Sequence, residues 1–74
     1  RVNAIRPGFF PTKWNLKNFI DKKRRSKILN HTPMKRFGNT KELVSAIIWL
    51  ASDSSSFVTG SEVFIDGGFS CMSI

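Results

Sequence analysis

Tyrosine is absent from this chain, cysteine and histidine occur once each, and no basic residue follows Lys41. Each gap excludes something. With Cys71 alone no intramolecular disulfide can form, and a lone thiol fits a reducing cytoplasm better than an oxidising compartment. Cys71 also lacks a basic neighbour, so it reads as a small packed hydrophobe and not a nucleophile. His31 has no second histidine and no acid or cysteine at ligand spacing, so no metal is expected and His31 reads as a lid or surface residue. No apolar run approaches the roughly 20 residues that span a bilayer, and no stretch has the form of a signal peptide, so no membrane partner is expected. Without a disulfide or metal, 74 residues must be held by burial alone. Ordering each backbone unit costs about 1–2 kcal/mol, whereas a buried Leu, Ile or Phe returns about 1.5–3 kcal/mol. The chain opens at Arg1, already reading as the inside of a strand, and the expectation is a segment of a larger protein.

Charge is present but segregated. All twelve Lys and Arg lie between Arg1 and Lys41, with Asp21 as the single acid among them; from Glu42 onward there are four acids and no base. Lys22-Lys23-Arg24-Arg25 with Lys27, near Trp14 and Phe19, offers an electrostatic surface for nucleic acid. No recognised nucleic-acid motif accompanies it. A solvated basic helix, or one that draws in an anionic substrate such as a sugar acid, fits the same residues.

The most organised stretch is NTKELVSAIIWLASDSSSFVTGSEVFIDGG, Asn39 to Gly68. Asn39 and Glu42 form a capping box at a helix start. Leu43, Ile47, Leu50 and Ala51 follow at helical spacing with Val44 and Ile48 beside them, an apolar arc of roughly 200° where a one-sided helix needs about half that. Trp49 falls outside even this arc. Ser52 to Ser56 ends the helix, Gly60 turns the chain, and Val63-Phe64-Ile65 reads as a strand buried on both faces. Upstream, Val2 to Ile5 reads as a second strand, ended by Arg6-Pro7-Gly8. The two strands with the helix between them make a βαβ-type unit, so they should be parallel neighbours. Between Lys13 and His31, Leu16, Phe19 and Ile20 share a helical face, Ile28-Leu29 can start another, and Asp21 can cap that second piece.

Leu-Ala-Ser-Asp, Phe-Val-Thr-Gly and Asp-Gly-Gly in this order resemble the C-terminal signature of the short-chain dehydrogenase/reductases. VNAIRPGFFPT resembles that family's penultimate strand and cofactor loop, and PMKRFG its approach to the last helix, with Thr40 where many members have proline. The resemblance covers essentially the whole chain. It implies an α/β fold: the C-terminal part of a Rossmann-type doubly wound parallel sheet, residues 1–74 forming one partial domain. Residues 1–12 would be strand and cofactor loop, 13–38 substrate lid, 39–68 last helix and strand, and 69–74 an interface tail.

The resemblance further implies NAD or NADP as cofactor, with Pro7, Gly8, Phe9, Phe10 and Thr12 on the nicotinamide side. A glycine there exposes backbone to a carboxamide, and a threonine hydroxyl can reach an amide or phosphate. Trp14 and Asn15 follow closely and are candidate substrate contacts, although Trp14 packing the lid down explains that residue equally well. The implied partner is a small carbonyl or alcohol; the loops most resemble members acting on sugar acids, such as fructuronate or mannonate. The last helix, last strand and tail imply a homo-oligomer, dimer or tetramer. The family's catalytic Tyr and the Lys four residues beyond it cannot lie in a chain without tyrosine, and no glycine-rich phosphate loop is present. No catalytic residue is therefore assigned, and the chain alone is expected to be inactive. A truncated non-catalytic interaction protein, or a small basic nucleic-acid binder, remains as an alternative.

Overall fold

The computed structural model describes residues 1–18 and 20–71. Strand β1 (Ala4–Pro7) is followed by helices α1 (Lys13–Asn18), α2 (Lys22–Asn30) and α3 (Thr40–Ala51), then strand β2 (Glu62–Ile65). Short 3-10 turns occupy Asp53–Ser55 and Phe69–Cys71. Phe19 and the tail residues Met72, Ser73 and Ile74 lie outside the described residues.

The strands pair in parallel, as expected, with Ala4 opposite Glu62 and Pro7 opposite Ile65. β1 sits two residues later than the sequence pattern suggests, because Val2 and Asn3 are claimed by the loop before β2. Val2 N–H donates to Thr59 Oγ1 (3.1 Å), its carbonyl accepts from Gly60 N–H (2.7 Å), and Asn3 Nδ2 donates to the Val58 carbonyl (3.1 Å). Pro7 is tolerated in the ladder for a geometric reason. Ala4 N–H donates to the Ser61 carbonyl and Gly8 N–H to the Ile65 carbonyl, both at 2.9 Å. Since donors alternate between the two edges of a strand, the Pro7 nitrogen falls on the edge away from β2, where no ladder bond is lost.

The helix caps follow the sequence. Asp21 Oδ1 accepts from Arg24 N–H (2.7 Å) and opens α2. Asn39 Oδ1 accepts from Lys41 N–H and Glu42 Oε1 from Asn39 N–H, both at 2.9 Å, opening α3. Ser52 ends α3, its N–H donating to the Trp49 carbonyl (3.2 Å).

Burial departs from expectation in two places. In β2 the exposure alternates, Val63 and Ile65 half-buried and Phe64 51 % exposed, so only one sheet face is covered by this chain. Cys71 is exposed on the turn after β2 and is not packed. The reason is common to both: helices cover one side only. Among the described residues Ile28 is the fully buried hydrophobe, whereas Val44, Ile47, Ile48 and Trp49 on α3 stand open. The accessible surface is 5891 Å², against about 4,600 Å² for a compact protein of this mass. The radius of gyration is 14.3 Å, where about 11 Å would be compact. The fold is thus a half-covered sheet with helices on one flank.

The two strands come close together at Gly8. A Cβ added there would lie 2.6 Å from Asp66 Cβ and 2.7 Å from Asp66 Cα. The second of these is backbone, which cannot swing aside, so Gly8→Ala should cost about 1–3 kcal/mol by overpacking. Thermal unfolding of the variant checks this; an unchanged midpoint would show that the two strands do not meet so closely.

Candidate functional site

Beyond the carboxyl end of β1, residues Gly8 to Thr12 form a loop whose course is fixed from three sides. Phe9 packs edge-on against Phe69, ring centroids 5.3 Å apart. The Phe9 carbonyl accepts from Gly38 N–H (2.9 Å). The Phe10 ring lies over Gly38, where a side chain would strike it: Phe10 Cδ1 is 2.6 Å and Cζ 2.7 Å from an added Cβ. The loop ends at Thr12, whose Oγ1 accepts from Asn15 N–H (3.1 Å) and whose carbonyl accepts from Leu16 N–H (3.0 Å), so Thr12 opens α1 as its cap. A hydroxyl accepting in this way can still donate its own proton.

The loop and the following helices border an open cleft of about 300 Å³. Gly8, Phe9, Phe10 and Pro11 form one wall; Asn15 and Ile20 come from the α1 side, Arg24 and Ile28 from α2. Its size is that of a small-molecule site, and its surface is polar and apolar in about equal part. A second hollow of about 50 Å³, behind Phe9 and Phe10 and against Thr32, Met34 and Ile65, has room only for a few waters. Of the residues singled out from sequence, Gly8, Phe9, Phe10 and Asn15 meet in the larger cleft. Pro7 is in β1, Thr12 is at the α1 cap, and Trp14 is on the first turn of α1, 60 % exposed; none of the three lines the cleft. Arg24 was hidden in the sequence by the run of basic residues, whereas Ile28 is apolar and stands outside that run. Their spacing of four after the Asp21 cap is the signal that puts them on one helical face.

The turn after β2 borders the smaller hollow with Asp66 and Gly67. Gly67 and Gly68 have φ of 63° and 90°, left-handed values that suit glycine. This curls the chain so that the Asp66 carboxylate accepts from Gly68 N–H (3.0 Å) and Ser70 N–H (3.1 Å). The Ser70 side chain first, and these N–H groups after it, hold the Asp66 carboxyl below its ordinary range against the opposing effect of desolvation. Phe69 is thereby placed between Phe9 and the His31 ring, whose centroid is 4.6 Å away. His31 ends α2, its N–H donating to the Ile28 and Lys27 carbonyls (3.2 Å each). Arg36 plays a structural part, as its position before the last helix suggests. Its Nη1 and Nη2 hold Glu42 Oε1 and Oε2 at 2.7 and 2.9 Å, and Nη1 also donates to the Phe37 carbonyl. No metal-holding cluster of His, Cys, Asp and Glu occurs among the described residues, and no helix there is long and apolar enough to cross a membrane.

Comparison with known proteins places the whole arrangement. A family profile described as enoyl-(acyl carrier protein) reductase matches residues 1–70. The chain is 51 % identical over 75 residues to the uncharacterised oxidoreductase UxuB of Bacillus subtilis (strain 168), covering 93 % of this chain and 27 % of that protein. Among solved structures, a gluconate 5-dehydrogenase from Burkholderia cenocepacia J2315 in complex with NADP and tartrate superposes with a TM-score of 0.87 at 36 % identity, covering 99 % of this chain and 29 % of that one. A protein assigned as a D-mannonate oxidoreductase from Haemophilus influenza, with bound NAD, gives 0.86 at 43 % identity, covering 99 % and 28 %. The chain therefore spans less than a third of the length of these relatives.

The Arg36–Glu42 pair yields a pH dependence with a definite sign. Arg36 foremost, and the Asn39 N–H, pull the Glu42 carboxyl down from 4.5 to about 2. The folded state therefore favours the ionised form: its contribution is complete above pH about 4.5 and is lost as the pH falls towards 2. Helix content followed by circular dichroism should fall across that window, less steeply in Glu42→Gln. High salt should shrink the difference, because the pair is exposed. Identical acid profiles for the two proteins would remove Glu42 from the account.

Proposed function

The chain belongs to the short-chain dehydrogenase/reductase family and carries part of its Rossmann-type sheet; from that membership we propose that it builds the nicotinamide side of the cofactor pocket, the substrate lid and an oligomer interface in an NAD(P)-dependent oxidoreductase. The observation that carries this reading is the cleft of about 300 Å³ at the carboxyl end of β1, the end at which ligands bind in open parallel sheets. The cofactor supplies the hydride acceptor or donor, and the substrate is a small carbonyl or alcohol. Structural relatives solved with NADP and with NAD support either dinucleotide. The names gluconate 5-dehydrogenase and D-mannonate oxidoreductase support a sugar acid as substrate.

Each residue has a part in this reading. Phe9 and Phe10 exclude water from one face of the nicotinamide, while Pro7, Gly8 and Thr12 orient its carboxamide and the neighbouring phosphate. Asn15, and Trp14 beside it, contact the substrate from the lid, residues 13–38. The proton-transferring groups lie outside this chain, which has no tyrosine, so the 74 residues alone should turn over no substrate. The open side chains of Val44, Ile47, Ile48 and Trp49, with Phe57 and Phe64 nearby in the sequence, support cover by further protein, including a second copy in a homodimer or homotetramer. The compartment that fits is the cytoplasm.

The reading is tested in an enzyme of the family's full length carrying this segment. Thr12→Val removes both the cap and the free O–H, whereas Thr12→Ser keeps both. Dissociation constants for NADH and NADPH, read by fluorescence, should rise about 5- to 10-fold in the first for a lost hydrogen bond and stay near wild type in the second. A Thr12→Val protein that melts lower yet binds the dinucleotide normally would leave Thr12 as a cap alone. Asn15→Ala should raise KM for the substrate and leave dinucleotide affinity unchanged.

A further inference from the structure

Five arginines occur in the sequence, and four have visible work in the structure. Arg1 donates to Ser55 Oγ and to the Val58 and Ser52 carbonyls (3.1–3.2 Å). Arg6 pairs with Glu62 at 2.9 Å and Arg36 with Glu42 at 2.7 Å. The Arg25 guanidinium stands over the Phe37 ring at 5.6 Å. Arg24 differs: among the described residues its guanidinium meets no carboxylate, and its side chain lines the cleft. The nearby acid, Asp21, is occupied by the Arg24 backbone N–H, not by the side chain.

We propose that Arg24 is the group that binds the substrate's carboxylate, so that the enzyme selects an acid over the neutral polyol of the same carbon skeleton. The inference rests on the oxidoreductase reading above and names the residue behind its substrate class. Position is fixed by Ile28, one helical turn further along α2. Ile28 is 8 % exposed and holds that face of the helix inward, so Arg24, four residues earlier, faces the same way at the cleft mouth. Thr32 Oγ1 donates to the Ile28 carbonyl (2.7 Å) and secures the helix end. Within the cleft, Phe9, Phe10 and Ile20 provide apolar walls that strengthen a charge–charge contact over its value in open water. The planar guanidinium fork matches two carboxylate oxygens, and Asn15, which also lines the cleft, carries an amide suited to a neighbouring hydroxyl. Lys22, Lys23 and Lys27 on the same helix add long-range attraction for an anion without entering the cleft.

The test uses the complete enzyme, with D-mannonate and D-mannitol, which differ at one end by carboxylate against hydroxymethyl. Arg24→Gln should raise KM for mannonate about 10- to 100-fold, the span of a lost charge-assisted pair, with kcat, mannitol turnover and NAD(P)H affinity changed less than about threefold. Arg24→Lys should recover part of the loss, because a point charge replaces the fork. Equal losses for mannonate and mannitol would overturn the assignment, as would a wild-type enzyme that prefers mannitol; both outcomes leave the oxidoreductase reading intact. Weakened NAD(P)H binding in Arg24→Gln would move Arg24 to a cofactor phosphate and overturn it equally. A wild-type enzyme that binds neither dinucleotide and oxidises neither compound would overturn both proposals together.

Discussion

The parallel pairing of β1 with β2 is the constraint on which the rest depends. It joins residues nearly sixty positions apart, as in the bond from Ser61 N–H to Asn3 Oδ1 at 3.0 Å. Closing a loop of that length costs roughly 3–4 kcal/mol beyond a constant, while one hydrogen bond returns about 1 kcal/mol net. No single contact can hold it. The chain answers with a cluster at the amino end of the strands: the Arg1 fork, both Val2 backbone groups and both ends of the Asn3 amide seize the loop from Ser52 to Ser61. Ser55, 1 % exposed, stands at its centre and donates back to the Leu50 and Ser52 carbonyls.

What is gripped at one end of the strands is displayed at the other. Once β1 and β2 are in register, Gly8 and Asp66 are forced together, and the two loops that leave the sheet diverge from a common point. The 32–38 segment then bridges them: Met34 N–H donates to the Gly67 carbonyl (3.1 Å), and Gly38 N–H to the Phe9 carbonyl (2.9 Å). The Phe9–Phe69–His31 row links the loop after β1, the turn after β2 and the end of α2. The cleft is therefore a consequence of strand register transmitted through two glycines and a ring stack. On the other side, α1 and α2 rest on few buried apolar groups, chiefly Ile28, so local opening costs least there.

Much of this was legible in the residues. Local capping chemistry is written in short spacings, so Asp21 and the Asn39–Glu42 box declare their helices unaided. The order of β1, α3 and β2 and their parallel pairing followed from apolar pattern and turn residues. The strand frame did not, because Val2 carries good strand character and only the distant partners of Val2 and Asn3 at 58–61 remove the two from the ladder. The one-sided burial of Phe64 was equally hidden, since a continuous apolar run records what a strand can bury and not how much cover this chain supplies. Arg24 was masked by its neighbours: in a run of four bases, composition cannot tell the one that faces a cleft from those that face water.

The charge segregation connects these levels. Both ion pairs among the described residues, Arg6–Glu62 and Arg36–Glu42, join the basic half of the chain to the acidic half. All four side chains are about half exposed, and ion pairs so open to water add little to stability. Stability is therefore a weak reason for gathering twelve bases upstream of Glu42. A field is a stronger one, because uncompensated charges on one element add their potentials over a screening length of about 8 Å, comparable to the width of a small cleft. Four of the five acids lie on and beside α3 and β2, at caps, turns and strand edges, and the fifth, Asp21, caps α2. The bases left unpaired lie largely on the helices that flank the cleft. A neutral substrate gains nothing from that arrangement. An anionic one is drawn towards the cleft mouth, where Arg24 stands exposed with no carboxylate partner among the described residues.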